Sequence, residues 1–146
     1  MPVASPDAPS DRPLLDKLGV KPGARVAAID IDDAFLGELR TRTEDVATGR
    51  PEQDSDLIFV FVSHRDHLDD RIGPLRSRLD PDGAIWVIRP KGSKDIKEVD
   101  IIEAGKRLGL VDNKIASFSE TLSAMRLVIP VALRPNRGAA RRRSHR

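Results

Sequence analysis

The chain has 146 residues, with 25 Lys and Arg against 23 Asp and Glu and no cysteine. That length suits one domain, and the missing cysteines exclude a disulfide framework, a thiolate metal site and a Cys nucleophile. No apolar run approaches the ~20 residues a bilayer span needs, and the first residues lack the apolar region of a signal peptide, so a soluble, cytoplasmic protein is expected. The net charge of +2 is unevenly spread: residues 1–120 carry a balance of −5, and after Glu120 there are seven arginines and no acid.

In chain order, residues 1–12 hold Pro2, Pro6 and Pro9 and almost no apolar side chains, which reads as a disordered arm. Residues 13–133 read as a single domain. Leu14, Leu15 and Leu18 predict a short helix stopped by Gly19, and the KPG at 21–23 a turn. A strand is expected over 25–31, then a helix capped by Asp33 with Phe35, Leu36 and Leu39 on its inner side. Residues 43–55 are polar, with Val46 and Ala47 as the stub of a strand. LIFVFV at 57–62 is continuous β-branched and aromatic sequence, the pattern of a parallel strand covered on both faces.

A helix is expected from His67, with Leu68, Ile72, Leu75 and Leu79 at spacings of four, three and four. PDG at 81–83 predicts a turn into a second buried strand at 84–88, followed by a helix over 95–108. Two last strands near 112–119 and 124–132 predict an antiparallel hairpin, with Pro130 suggesting an edge position. Repeated β–α–β units with apolar strands predict an α/β three-layer sandwich whose sheet is mostly parallel. Residues 134–146, RPNRGAARRRSHR, read as a basic disordered tail.

Three blocks of sequence carry a resemblance: LLDKLGVKPGARV at 14–26, LDPDGAIWVIRPKGSKDI at 79–96 and LGLVDNKIASFSETLSAMRLVI at 108–129. Over about residues 13–133 the order of elements resembles the later half of a class I S-adenosylmethionine-dependent methyltransferase. More closely, the chain resembles a small bacterial domain-of-unknown-function family. The resemblance implies a Rossmann-like fold and brings no established reaction. A methyltransferase of this fold has glycines after strand one, for close approach to the cofactor, and an acidic residue ending strand two for the ribose hydroxyls. Here the stretch is Ala27-Ala28-Ile29-Asp30-Ile31-Asp32-Asp33, without glycine until Gly37. No S-adenosylmethionine site of the usual kind is expected.

Open α/β sheets bind ligands at the carboxyl ends of their strands. Those ends hold Asp30 and Asp32, then Ser63, His64 and Arg65, then residues 89–94. In the loop 90–94, Gly92 exposes backbone N–H groups, Ser93 is a donor and Lys91 and Lys94 flank it, so with His64 and Arg89 it makes a candidate anion site. The plainer reading is that Ser93 or Asp95 caps the next helix and both lysines are solvated. His64, Asp66 and His67, with Asp30 or Asp32, match metal-ligand types, but Ser63 and Asp66 also match a helix capping pair. Asp30 and Asp32 share one face if strand one continues that far; otherwise Asp32 or Asp33 is a cap. Trp86 and the four phenylalanines fall at core positions, leaving no exposed aromatic stack for single-stranded nucleic acid. Arg137, Arg141, Arg142, Arg143 and Arg146 give the tail a sequence-independent attraction for nucleic acid or an acidic partner, unless it only solubilises.

The expectation is a non-catalytic binding or accessory module with a small anionic ligand at the strand ends. The alternatives are a methyltransferase-like enzyme with a degenerate cofactor site and a nucleic-acid-associated protein recruited through its tail.

Overall fold

A computed structural model describes residues 14–134. The N-terminal arm and the tail arginines from Arg137 onward lie outside the described residues. The elements run α1 (14–17), β1 (Val26–Ile29), α2 (Asp33–Arg42), β2 (Val46–Thr48), β3 (Ser55–Phe61), a 3-10 turn (Arg65–His67), α3 (Leu68–Arg76), β4 (Leu79–Pro90), α4 (Glu98–Arg107), β5 (Val111–Ser117), β6 (Leu122–Val128) and a last 3-10 turn (Val131–Leu133). One six-stranded sheet has the order β2-β1-β3-β4-β6-β5. Pairing is parallel from β2 to β4, and β6 is antiparallel to both β4 and β5.

Because successive strand residues face opposite sides, the apolar runs supply two cores at once. Ala27, Ile58, Val60, Ile85, Val87, Met125 and Leu127 pack under α3 and α4. Val26, Ala28, Leu57, Phe59, Trp86, Ile88 and Val128 pack with Leu15, Leu18, Phe35 and Leu39 of the other side. Trp86 is buried, and its Nε1–H donates to the Leu18 carbonyl at 3.0 Å, the buried acceptor its position called for. Asp69 of α3 and Arg107 of α4 pair at the surface, and the hydrogen bonds from Arg107 hold the Asp69 carboxyl below its ordinary pKa.

Several local readings are corrected. Asp32, not Asp33, caps α2: its Oδ1 accepts the Phe35 N–H at 2.9 Å. Replacing Asp32 by Ala is expected to cost about 1 kcal/mol and Asp32→Ser much less, checked by urea melts. The strand stub expected at Val46 and Ala47 is present as the three residues of β2, joined to β3 by a loop over 49–54 too short to carry a helix. Arg25 fixes that loop, its guanidinium reaching Asp45 at 3.0 Å and the Gln53 carbonyl at 2.7 Å.

PDG at 81–83 is no turn but part of β4. Between the pairs Ser55↔Leu79 and Leu57↔Ala84 the long strand carries extra residues, so it bulges there instead of reversing. Helix α4 starts at Glu98, later than expected, because Lys97 is its cap and the Lys97 N–H donates to Asp100 Oδ2 at 2.8 Å. Pro130 lies beyond the end of β6, which is flanked on both sides; the edge strand on that side of the sheet is β5.

Candidate functional site

In this sheet β2 lies on one side of β1 and β3 on the other, so the strand order reverses at β1 and a crevice opens outside the carboxyl ends of β1 and β3. A cleft of about 280 Å³ occupies that place, lined by Asp30, Phe61, Val62, Ser63, His67 and Arg71. Asp30 is the first residue after β1 and has φ 58°, in the left-handed region. Asp tolerates that conformation better than most non-glycine residues, so the chain turns sharply here without a glycine.

Arg71, from the second turn of α3, spans the crevice. Its Nη2 donates to Asp30 Oδ2 and, at 2.9 Å, to the Phe61 carbonyl. Both bonds use one nitrogen. The Nη1 and Nε hydrogens of Arg71 have no acceptor among the described residues. The cleft therefore presents a guanidinium oriented by two fixed acceptors with donors to spare, beside Ser63 and His67.

The three aspartates after β1 are separated. Because β1 ends at Ile29, Asp30 and Asp32 do not share a strand face: Asp30 enters this cleft, whereas Asp32 caps α2 and lines a second, more apolar cleft of about 210 Å³ with Leu14, Phe35 and Phe118. Among the described residues no group of three His, Asp or Glu is placed to hold a metal ion. The expected Ser63–Asp66 cap is replaced by His64, whose Nδ1 accepts the Asp66 N–H at 3.1 Å.

Apart from Arg89, which ends β4, the candidate anion residues lie on two loops that Arg65 joins, by donating to the Lys94 and Asp95 carbonyls at 3.2 and 2.7 Å. Within them, Ser93 Oγ accepts the Asp95 N–H at 3.0 Å and caps no helix. Lys91 donates to Ser117 Oγ at 2.8 Å on the hairpin side. Arg89 is bound to the Pro90 carbonyl and faces Glu98 at 3.5 Å. His64 is next in sequence to both Arg65 and the cleft residue Ser63, and Lys94 takes part in the Arg65 bridge through its carbonyl. Arg71 was not singled out in the sequence, where it reads as one more polar residue on the outer side of a helix.

The residues that would meet S-adenosylmethionine do not fit it. Asp30 stands where the fold's glycine loop would be, and its carboxylate is tied across the crevice to Arg71. Strand β2 ends at Thr48, followed by Gly49 at φ 85° and Arg50, so no acid is present there for ribose hydroxyls.

Residues 15–131 match the protein family described as a protein of unknown function (DUF3052). No curated protein matches the chain. Among solved structures it is similar to an S-adenosylmethionine-dependent methyltransferase from Aquifex aeolicus, with a TM-score of 0.62 and 12% identity over 82% of this chain and 89% of that one. It is also similar to the precorrin-6y C5,15-methyltransferase of Geobacter metallireducens, with a TM-score of 0.60 and 12% identity over 82% and 87% of the two chains. A TehB-like S-adenosylmethionine-dependent methyltransferase from Corynebacterium glutamicum gives 0.53 and 15%, over 82% and 87%. At such identities the likeness is one of fold: the sheet is Rossmann-like and methyltransferase-like.

Proposed function

Because this chain belongs to the DUF3052 family, whose description assigns no activity, its function has to be read from its own residues, and we propose that it is a non-catalytic binding module for a small anionic ligand at the β1–β3 crevice. The supporting observation is Arg71: a guanidinium aimed by Asp30 and the Phe61 carbonyl, with its Nη1 and Nε hydrogens unspent, on the wall of a 280 Å³ cleft. With both Nη2 hydrogens spent, Nη1 and Nε point along different edges of the guanidinium, and each can give a single charge-assisted hydrogen bond to a carboxylate or phosphate oxygen. Ser63 and His67 add donors inside the cleft, and His64 and Lys94 stand on the adjoining loops.

The ligand is small. A cleft of this volume lies at or just below the lower end of the range for ligand pockets, and the methyltransferase reading finds neither a glycine loop nor an acid at the end of β2.

The test is an NMR titration of the Arg71 Nε–H resonance with small mono- and dicarboxylates, inorganic phosphate and pyrophosphate. At least one is expected to shift it saturably, with loss of at least tenfold in affinity in Arg71→Gln, the cost of about 1.4 kcal/mol or more for a charge-assisted hydrogen bond. Titrations that leave the resonance in place at millimolar concentration would reject the reading.

A further inference from the structure

A second charged feature lies on the face of the sheet that carries α1 and α2, away from the crevice. Arg126 is the one charged residue of β6, set between Ala124 and Val128, which face the core. Its register partners are Trp86 in β4 and Lys114 in β5. Two cations thus stand directly opposite each other across an antiparallel pair, an arrangement that is unfavourable by itself.

Arg126 is half-buried and has no hydrogen-bond or ion-pair partner among the described residues. Burial, and then the neighbouring Arg134, disfavour its charged form. Lys114 Nζ donates to the Lys17 carbonyl at 2.9 Å, which holds the ammonium on this face with two donors remaining. Arg134 is folded back by its Nε–H bond to the Ile129 carbonyl at 2.8 Å, and its Nη1 lies 3.8 Å from Asp82. Of the three cations, Arg134 is the one with a carboxylate near it among the described residues. Directly after this point the sequence adds five arginines and no acid.

We propose that Lys114, Arg126 and Arg134 form a folded phosphate-contacting strip for a nucleic-acid backbone, to which the five arginines later in the sequence add charge. A half-buried guanidinium without an acceptor among the described residues, kept beside like charges, is explained by an anion supplied from outside. Successive phosphates offer an anion to each of these cations, and guanidinium groups match phosphate oxygens. No exposed aromatic residue accompanies the strip, so contact is with phosphate and not with stacked bases, and binding is independent of sequence.

The experiment is fluorescence anisotropy of the full chain on a mixed-sequence DNA duplex of about 20 base pairs, between about 50 and 300 mM salt. Arg126→Gln is expected to lose roughly tenfold in affinity near 0.1 M salt and to reduce the salt slope by about one, with a similar loss for Lys114→Gln. Arg126→Lys should retain most of the affinity. The thermal melt of Arg126→Gln is expected to match or exceed the wild type, because a like-charge contact is removed; a structural arginine would instead lower it. A variant with the five later arginines changed to Gln should bind more weakly yet still respond to Arg126→Gln. Unchanged affinity and slope in both Arg126→Gln and Lys114→Gln would overturn the proposal, as would the absence of binding at the lowest salt. Displacement of the duplex by polyglutamate at equal charge would overturn it in favour of an acidic protein partner.

Discussion

Replacing Trp86 by alanine is expected to lower stability by about 3–5 kcal/mol, the usual cost of emptying a large aromatic site in a core. The residue is 1% exposed and sits mid-sheet in β4, between Phe59 of β3 and Arg126 of β6. It also joins two parts of the chain, because its indole N–H is the donor to the Leu18 carbonyl at the end of the α1 segment. Trp86→Phe separates the two effects: it keeps most of the apolar volume but leaves that carbonyl without its donor, for a cost of about 1–3 kcal/mol. Urea melts followed by far-UV circular dichroism measure both, since the chain has no other tryptophan. A Trp86→Phe protein as stable as the wild type would show that the bond to Leu18 contributes nothing.

The second large effect is at Gly83. A Cβ built there meets the Asp56 carbonyl oxygen at 2.7 Å and the Ser55 carbonyl oxygen at 3.0 Å, both of them backbone atoms of β3. Neither can move without disturbing the central strand pair, so Gly83→Ala is expected to cost about 3 kcal/mol, the upper part of the range for overpacking. Gly37 provides the opposite sign. It lies within α2 with nothing within 4 Å of its added Cβ, and Gly37→Ala should stabilise by about 0.5–1 kcal/mol. Thermal melts of the two alanine variants are expected to fall on either side of the wild type. Equal melting of Gly83→Ala and wild type would mean that β3 and β4 are not in such close contact.

Gly83 also shows where the sequence misleads. PDG is common turn chemistry, and the residues themselves carry no sign that the reason for the glycine is a neighbouring strand backbone. Buried Asp80, whose Oδ2 accepts the Asp82 N–H at 3.1 Å, supports the same bulge, and its burial is visible only in three dimensions. The two-sided strands were legible because LIFVFV and AIWVI are apolar at every position, a pattern only a sheet covered on both faces requires. Strand β2 was barely legible, since three half-exposed residues carry little hydrophobic signal.

At the candidate site the strand ends could be read off, and they delivered Asp30 and Ser63. Arg71 could not, because an arginine between Leu68 and Ile72 has the same spacing whether it reaches back to a strand end or stays in water. Arg126 did leave a signal: it is the single charge within an otherwise apolar or small-residue strand, LSAMRLV.

On the function proposed, the methyltransferase-like sheet does not bind S-adenosylmethionine, because Asp30 and Arg71 are tied across the turn after β1 and β2 ends without an acid. Isothermal titration calorimetry of the full chain with S-adenosylmethionine and with its demethylated product measures this most directly. No saturable heat is expected with either compound up to about 1 mM, the range of a binding free energy weaker than roughly 4 kcal/mol. A saturable isotherm with micromolar Kd, retained in Arg71→Gln, would contradict the account and restore the enzyme reading.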